Sequence, residues 1–423
     1  MIKLKALKIL TVAFVFALTG CGDKTGTFVE PPALYTPSAT GVRGASAKMA
    51  MLVPLSGPSS ALGEDLKRAG MMAQFDKMDT GSAVLFYDTK GTAQGAVDAY
   101  HEALKEKPDL IIGPVFSGEV AAVKRQNPTV PVLSFTSDGD AVGDGVYTMA
   151  LMIPEQVKRI VSYACEAGQR KMAVLGPENK VGELVMNTLA SEVTKCPGME
   201  IHKVSLYAPK TVNFDPAILK IIPKPIDPKK ANLTEAEREI LHTPIAERVD
   251  FDSLLVFEEG IKLQQVMSLL SYYDVTPRAI PMYGLSSWQS ATDAAFVGGY
   301  FPAMPMKSHQ DFDARYRQNF GSKPAGLASL AYDAVSLGTL LASVGVTNES
   351  MITQPAGFVG VDGRIRIEPD GTNTRLLDMM QMTGRGRFQV VSPASAELPP
   401  RTNSFWFSEG RATFDVERTT DRP

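Results

Sequence analysis

The chain has 423 residues, of which 44% are hydrophobic and 21% are charged, the composition of an ordinary globular protein. Lysine and arginine number 43 against 46 aspartates and glutamates, a net charge of -3. This balance argues against a nucleic-acid-binding protein, which would carry a basic face for phosphates. With 3 cysteines and with 4 histidines that lack metal-ligand spacing, the sequence predicts neither a disulfide-rich scaffold nor a zinc site.

The first residues predict secretion. Three lysines precede the run 9–18, which is apolar apart from Thr11 and is too short to span a bilayer comfortably. The run ends in Leu18-Thr19-Gly20-Cys21, which resembles the lipobox of bacterial lipoproteins. In that class of signals, cleavage falls before the cysteine, which becomes the acylated N-terminus. Residues 1–20 are therefore predicted to be a signal peptide, with Cys21 as the lipidation site.

The predicted lipid anchor fixes the compartment. Three acyl chains exceed the two signals needed for lasting membrane attachment, since each buried methylene contributes about 0.8 kcal/mol. Gly22 follows the cysteine where an aspartate would favour the inner membrane, so resemblance to enteric sorting rules favours the periplasmic side of the outer membrane. Inner-membrane anchoring is the alternative. Residues 21–45 are rich in Gly, Thr, Pro and Ala and are predicted to be a flexible tether.

From residue 48 onward, short apolar runs alternate with helical patterns. The run 49–54, bounded by the turn 56–58, is typical of a buried parallel strand, and apolar residues recur at helical spacing from 62 to 73. The same alternation continues to 253–257. It predicts an α/β fold of two doubly wound parallel-sheet lobes, with helices on both faces of each sheet.

The same pattern predicts the boundaries of the lobes. It pauses near residues 146–154, where we expect the first crossover. A proline-rich insertion at 211–250 interrupts the second lobe and contains a predicted helix, and residues 393–423 are predicted to be a loose C-terminal tail. The predicted lobes comprise residues 46–150 with about 305–350, and residues 151–304 with about 351–392.

Three loops that follow predicted strands are candidate ligand-binding segments. Carboxyl ends of parallel strands and N-termini of helices offer unpaired backbone N–H groups, which suit a carboxylate or another polar anion. Turn formation and helix capping are an alternative explanation for each loop, and three loops at one sheet edge strengthen the binding interpretation. The candidate residues in these loops are Ser56, Ser59, Ser117, Thr136, Ser137 and Asp138.

Several motifs resemble the type I periplasmic binding proteins, which include the branched-chain amino-acid receptors. These motifs are Val53–Gly57, Ile111–Pro114 with Ser117, Pro131–Ser134 and Phe358–Arg366. Within that family, the chain is most similar to the penicillin-binding protein activator lipoproteins, outer-membrane regulators of peptidoglycan synthases. That similarity is carried by the order and spacing of segments such as 249–255, 269–273 and 283–288. The resemblance implies a two-lobed clamshell and a class A penicillin-binding protein as partner.

Some positions depart from the amino-acid receptors of this family. Those receptors bind the ligand carboxylate near the candidate loop residues, and they commonly have a threonine at the position of Asp138. In the same receptors, an acid of the second lobe holds the ammonium of the ligand. The segment 296–299 lacks this acid, and the crossover 152–154 lacks the aspartate that often takes its role. Because a buried ammonium without a partner is costly, these departures disfavour a zwitterionic ligand. Glu258 and Glu259 would compensate if they faced the cleft.

Motifs for catalysis are absent from the sequence. No G-x-S-x-G elbow, P-loop or H-E-x-x-H pattern occurs, and the histidines have no neighbours that suggest a triad. Paired carboxylates at Asp250/Asp252 and Glu258/Glu259 flank an apolar strand, where solvated strand-end charges are favoured over an acid and base pair. The chain is therefore expected to be no enzyme and to use no cofactor or metal ion.

Cys165 and Cys196 leave two alternatives open. In an oxidising periplasm they would pair, because the predicted helices 155–168 and 181–195 end on the same side of the sheet. Alternatively they are two small buried apolar residues, since Cys165 lies on the apolar stripe of its helix.

The preferred function is that of an envelope lipoprotein which regulates a peptidoglycan synthase by direct contact. The insertion 211–250 and the apolar patch Phe405-Trp406-Phe407 are the candidate contact elements. The alternative is a receptor for an amino acid or small polar solute that serves an ABC transporter. Both interpretations attach the protein to a membrane through its lipid and assign it no nucleic-acid partner.

Overall fold

The computed structural model describes residues 47–401, apart from 77–80, 227, 228, 230 and 344–347. The predicted signal peptide, the tether with Cys21 and the patch Phe405-Trp406-Phe407 lie outside the described residues. Within the described part of the chain, every helix is too short or too polar to cross a membrane.

The described residues form strands and helices in the predicted alternation. The strands are β1 (Lys48–Val53), β2 (Ala83–Asp88), β3 (Leu110–Ile112), β4 (Val132–Ser134), β5 (Val146–Thr148), β6 (Lys171–Pro177), β7 (Glu200–Tyr207), β8 (Ser253–Val256), β9 (Met282–Tyr283), β10 (Tyr300–Ala303), β11 (Phe358–Gly360), β12 (Gly363–Ile367), β13 (Asn373–Arg375), β14 (Asp378–Gly384) and β15 (Arg387–Ser392). The helices are α1 (Ser60–Asp76), α2 (Ala93–Lys105), α3 (Ser117–Lys124), α4 (Ile153–Glu166), α5 (Lys180–Val193), α6 (Asp215–Ile218), α7 (Glu235–His242), α8 (Ile245–Arg248), α9 (Gly260–Tyr272), α10 (Met306–Phe320), α11 (Ala328–Ser343) and α12 (Glu349–Ile352).

The first lobe is built on a five-stranded parallel sheet with the strand order β2-β1-β3-β4-β5. Alternate residues of β1 face opposite sides of this sheet. Met49 and Met51 pack in a cluster with α1, α10 and α11, whereas Ala50 and Leu52 pack with α2 and α3. Because helices cover both faces, β1 is apolar at nearly every position, which is the pattern that predicted it.

The second lobe contains a seven-stranded sheet with the order β15-β14-β10-β9-β8-β6-β7. The pairs among β6 to β10 are parallel, while β10–β14 and β14–β15 are antiparallel. In β6, Ala173 and Leu175 face the cluster with α9, and Met172 and Val174 face the cluster with α4 and α5. The lobe is therefore doubly wound, with two antiparallel strands added at one edge.

The C-terminal segment is divided between the lobes, which differs from the predicted division. Strands β11, β12 and β13 form a separate three-stranded antiparallel sheet. Phe358, Ile365 and Ile367 of this sheet belong to the same buried cluster as the first-lobe helices. Only β14 and β15 join the sheet of the second lobe. The segment from about 351 therefore packs first on the first lobe, because the apolar face of β11 and β12 is buried against that core.

The proline-rich segment 211–250 packs against one face of the second sheet at its outer strand β7. It contains α6, α7 and α8, and α7 lies where the sequence predicted a helix. On the outer strand β7, the Ser205 hydroxyl donates to the Ala217 carbonyl at 2.7 Å, and Lys203 Nζ donates to the Ile221 carbonyl at 3.4 Å. The first part of the insertion therefore packs on the face of the sheet that α9 also covers, where Ile218 and Ile221 belong to the same buried cluster as Leu175 of β6.

Cys165 and Cys196 form a disulfide, with Cα atoms 6.0 Å apart and a sequence separation of 31. Cys165 lies near the end of α4, and Cys196 lies just beyond the end of α5. These helices cover the same face of the second sheet, so the bond ties neighbouring helices together. The structure therefore contains the disulfide, and the two cysteines are not separate buried thiols.

Reduction of this disulfide is expected to lower the free energy of unfolding by about 2–4 kcal/mol, because a closed loop of this length restricts the unfolded chain. Urea unfolding with and without reductant measures the difference. The double variant Cys165→Ser/Cys196→Ser is the control, and its stability should equal that of the reduced protein in either buffer. Free thiols at both positions in unreduced protein would contradict the assignment.

Candidate functional site

The candidate site is the cleft where strand ends of the two lobes face each other. Doubly wound sheets place ligands beyond the carboxyl ends of their strands, among loops and helix N-termini. The first lobe contributes the loops after β1, β3 and β4, which hold the predicted candidate residues. The second lobe contributes the loops after β6 and β8, which lead into α5 and α9.

The loop after β1 is held in place by Asp88. Its Oδ1 accepts the backbone N–H groups of Ser56 at 3.1 Å and Lys90 at 2.8 Å. Burial by itself would raise the pKa of Asp88, but hydrogen bonds from the Ser56 hydroxyl and from these N–H groups outweigh it and lower the pKa. Ser56 therefore stabilises its own loop. At the start of α1, the Ser59 carbonyl accepts the N–H of Gly63 at 3.1 Å.

The loop after β3 presents an exposed hydroxyl above a buried acid. Ser117 is the first residue of α3 and is exposed. Below it, Glu119 is buried, and its Oε2 accepts the N–H groups of Val115 at 3.3 Å and Phe116 at 3.1 Å. Burial raises the pKa of Glu119, and hydrogen bonding partly offsets this shift. Glu119 thus shapes the loop, while the Ser117 side chain is open to solvent.

The loop after β4 contains three of the predicted candidates in different situations. Thr136 is buried, and its Oγ1 accepts the N–H of Asp138 at 3.1 Å, while its carbonyl accepts the Thr148 hydroxyl at 2.5 Å. Ser137 is exposed. Asp138 is half-buried and contacts the opposite lobe. Thr136 is therefore occupied in closing the turn, and Asp138 is the residue of this loop that reaches across the cleft.

Lys180 of the second lobe joins two acids of the first lobe. Its Nζ lies 2.6 Å from Asp138 Oδ1 and 2.7 Å from Asp140 Oδ2. Hydrogen bonds to Asp138 and Asp140 raise the pKa of Lys180, so its ammonium stays charged at neutral pH. We call this contact the Lys180 bridge. A single ammonium of one lobe thereby compensates two carboxylates of the other.

The Lys180 bridge is partly open to water, which limits its strength. The Lys180 side chain is 51% exposed and that of Asp138 is 27% exposed. Ion pairs in such surroundings contribute up to about 1 kcal/mol. This is small beside the stability of a domain, but about 1 kcal/mol shifts an equilibrium between open and closed lobes roughly fivefold.

Glu258 was a candidate for the acid that would bind the ammonium of a ligand. Its carboxylate is hydrogen-bonded within its own lobe. Its Oε2 accepts the Tyr207 hydroxyl at 3.0 Å, and its Oε1 accepts the N–H of Glu259 at 3.0 Å. Burial, followed by the charge and hydrogen bond of Glu258, raises the pKa of Tyr207. The carbonyl of Glu258 also accepts the Ser287 hydroxyl at 3.3 Å. Glu258 therefore joins β7, β8 and the segment after β9.

Asp138 was predicted from the sequence as a site residue, whereas Lys180 and Asp140 were not. One signal was present at α5. A lysine at the first position of a helix lies at the positive end of the helix dipole, which is unfavourable without nearby acids. Asn179 caps this helix by accepting the N–H of Gly182 at 3.0 Å, and the acids come from the other lobe. Local sequence patterns do not reveal that pairing.

The connections between the lobes converge on buried polar side chains. The lobes are joined by β5 to α4, β10 to α10 and β13 to β14, and the first of these lies where the sequence predicted a crossover. Arg375 is buried and donates to the carbonyls of Met149 at 2.8 Å and Asp362 at 3.2 Å. The Asn373 amide donates to the carbonyls of Thr148 at 3.0 Å and Ala150 at 2.9 Å. The first and third connections are therefore bonded to each other.

Two buried carboxyl groups lie beside these connections. Asp333 of α11 accepts the N–H groups of Val361 at 2.8 Å and Asp362 at 3.3 Å. His309 Nδ1 of α10 lies 2.7 Å from Asp362 Oδ1. Burial and the negative charge of Asp362 raise the pKa of Asp333 to about 7. The hydrogen bond to Asp362 raises the pKa of His309 against the opposing effect of burial.

Comparison with known proteins agrees with this architecture. A family model described as a periplasmic binding protein matches residues 46–232. No curated protein sequence matches the chain. With two doubly wound lobes and several connections between them, the chain has the fold of the type I periplasmic binding proteins, as its motifs predicted.

Solved structures with this fold include transporter components and a regulator of another protein. A branched-chain amino-acid ABC transporter protein from Rhodospirillum rubrum has a TM-score of 0.67 and 17% identity, covering 82% of this chain and 100% of its own. A leucine-binding protein from Thermotoga maritima has a TM-score of 0.56 and 17% identity, covering 83% and 99%. The C-domain of LpoA from Haemophilus influenzae, a regulator of PBP1A, has a TM-score of 0.57 and 15% identity, covering 82% and 100%. At these identities the likeness establishes the fold.

The Lys180 bridge predicts that removal of one ammonium opens the lobes. In Lys180→Met the ratio of closed to open protein should fall roughly fivefold, because two ion pairs are lost and two acids are left facing the cleft. Small-angle X-ray scattering should then report a larger radius of gyration, and about 1 M salt should enlarge the unaltered protein in the same way.

Lys262→Met is the matched control for this measurement. Lys262 also lies in the first turn of a helix that follows a strand of the second lobe, but it donates to the carbonyl of Pro209 in that same lobe. Its removal should leave the scattering profile unchanged. Equal profiles for Lys180→Met and the unaltered protein would contradict a role of the bridge in closure.

The buried acids predict that stability falls as pH rises. A group whose pKa is higher in the folded state binds its proton more tightly there, so its stabilisation is lost as pH rises through the folded-state pKa. For Asp333 and His309 the free energy of unfolding should fall by more than about 1 kcal/mol between about pH 5 and pH 8. Urea unfolding in Asp333→Asn should show a shallower decline, whereas the exposed control Asp98→Asn should follow the unaltered protein. Parallel profiles for all three proteins would contradict the assignment.

Proposed function

We propose that this protein is a non-catalytic lipoprotein of the bacterial envelope that regulates a peptidoglycan synthase by direct contact. Lipidation at Cys21 would hold it on the periplasmic side of the outer membrane, with the tether 21–45 giving the lobes reach. The partner would be a class A penicillin-binding protein. The protein would act through its surface and not through turnover or delivery of a solute.

The Lys180 bridge is the observation that carries this proposal. A receptor for a zwitterionic amino acid needs groups for the ligand carboxylate and a free acid for its ammonium. Asp138, at the position where receptors commonly have a threonine, is bound by Lys180, and Glu258 is bound by Tyr207. Thr136 closes its own turn, and Ser56 serves the loop after β1. Since most groups that would bind an amino acid have internal partners, surface contact is favoured over solute capture.

Two further observations support regulation by contact. The motifs that resemble the activator lipoproteins extend over both lobes. One protein with the same fold, the LpoA C-domain, is described as a regulator of PBP1A. The insertion 211–250 offers solvent-exposed surface, since no residue of α7 is buried, and it remains a candidate contact element.

A solute receptor is the second candidate, and specific observations favour it. Several proteins with this fold are transporter components, and one of them is a leucine-binding protein. In addition, Ser117 and Ser137 are exposed at the cleft. If the bridge opens, these hydroxyls and the helix N-termini beside them would be available to a small polar ligand.

A reconstituted synthase assay separates the two candidates. We expect the lipidated protein to increase glycan polymerisation or cross-linking by a purified class A penicillin-binding protein in lipid vesicles, at stoichiometric amounts. The protein alone should give no product, and the same vesicles with an unrelated lipoprotein serve as control. Calorimetric titration with a panel of amino acids should give no saturable heat.

Tight, saturable binding of one amino acid without any effect on synthase activity would establish the receptor instead. Steady turnover of a substrate by the protein without a partner would contradict both candidates.

A further inference from the structure

Among the described residues, no strand pairs with the outer edge of the seven-stranded sheet at β15, and Arg159 of α4 contacts the end of this strand through the Ser392 carbonyl at 3.1 Å. Strand β15 pairs with β14 on one side and is the last strand in the sheet order. Arg387, Gln389 and Val390 of this strand are exposed. In an edge strand, alternate backbone N–H and C=O groups point away from the sheet and are free to pair with another chain.

Other sheet edges of the protein are treated differently. At the edge strand β5, the Thr148 N–H donates to the Gly371 carbonyl at 2.8 Å, so a later segment of the chain pairs with this edge. Strand β2 is the first lobe's other edge, and the negative charges of Glu102 and Glu106 act on Tyr87 there. The β15 edge thus differs from β2 in the charge that surrounds it.

An apolar groove of about 500 Å³ lies directly beside β15. Its apolar lining includes Met306, Met380, Phe388, Val390 and Pro393. Val390 is 41% exposed, an unusual position for a large apolar side chain. A chain that added to β15 as a further strand would place every second side chain over one face of the sheet, and therefore over this groove.

The surroundings of the groove carry positive charge. Lys307 lines the groove, whereas Arg385 lies in the turn between β14 and β15 and Arg387 begins β15; all three side chains are exposed. The acid at the groove, Asp378, is buried, and its carboxylate accepts the N–H groups of Met306 at 3.2 Å and Ala394 at 2.8 Å. Asp378 is thus occupied in holding the backbone and does not lie among the basic side chains at the surface.

We propose that the β15 edge and its groove bind an extended segment of a protein partner by strand addition. The segment would carry apolar side chains at alternate positions, for the groove, and acidic side chains between them, for Arg387 on the opposite face of β15 and Arg385 in the preceding turn. A second copy of this chain fits less well, because it would bring the same basic residues together. This inference names the contact face of the proposed function and rests on it for the identity of the partner.

Hydrogen–deuterium exchange with a probe peptide tests the inference on the full-length protein. The probe is a short acetylated peptide in which glutamate alternates with valine. We expect it to slow exchange of the β15 amides and to leave the amides of the other edge, β2, unchanged. Two control peptides, one with the same residues arranged in blocks and one with lysine in place of glutamate, should bind about tenfold more weakly or not at all.

A charge-reversal variant makes the test specific. In Arg385→Glu/Arg387→Glu, affinity for the glutamate peptide should fall about tenfold or more, and the lysine peptide should become the better ligand. Both side chains are exposed, so the variant should keep its fold, which thermal unfolding checks. Lys107→Glu/Arg125→Glu, which reverses two exposed basic residues of the first lobe, is the matched control and should bind the probe as the unaltered protein does.

Other occupants of the edge would appear as distinct outcomes, each of which overturns the proposal. If β15 amides are already protected and become exposed on deletion of residues 402–423, the protein's own C-terminal segment fills the edge. If protection rises with protein concentration alongside a dimer, the occupant is a second copy. Equal affinity for alternating and blocked peptides would show that no strand is added.

The synthase assay separates this inference from the proposed function. If the charge-reversal variant stimulates the synthase fully, the regulator acts through another face, and the inference fails while the function stands. If the unaltered protein binds the probe but stimulates no synthase, the edge is a peptide site, and the proposed function fails.

Discussion

The ammonium group of Lys180 joins the two lobes across the cleft, and the balance between open and closed lobes depends on this contact. Asp138 and Asp140 would leave the first lobe with uncompensated negative charge at the ligand position, and Lys180 supplies the compensation from the second lobe. In a receptor of the same fold, the ligand bridges the lobes and makes closure favourable. Here a side chain provides that bridge, so closure does not wait for a solute. The contribution is about 1 kcal/mol, which biases the lobes without fixing them.

The connections between the lobes make such a weak bias effective. Arg375 bonds the first connection to the hairpin of β11 and β12, and Asp333 receives the backbone of the same hairpin. This hairpin packs on the first lobe, while β14, only a few residues later, belongs to the second sheet. A rotation of one lobe would therefore act on bonds of Arg375.

Local sequence patterns predicted the fold well, because the features that define it are local. The apolar run of β1 is buried by helices on both faces, and the pause at 146–154 is a connection between the lobes. The later strands were harder, because β11 to β15 are short and antiparallel and their partners are distant in sequence. Of the contact that joins the lobes, only the first-lobe residue Asp138 was predicted, while the predicted second-lobe candidate Glu258 is hydrogen-bonded within its own lobe. Lys180 belongs to the site through a contact that spans 42 positions of sequence, and no periodicity encodes such a contact.

Pulsed electron paramagnetic resonance on the ligand-free protein tests the central claim most directly. Nitroxide labels at the exposed positions Ala93 of α2 and Ser191 of α5 would report the distance between the lobes. We expect a distance distribution dominated by a short distance after exhaustive dialysis, and we expect a panel of amino acids to leave it unchanged. A long distance that shortens when one solute is added would show that closure belongs to a ligand, and would contradict the account.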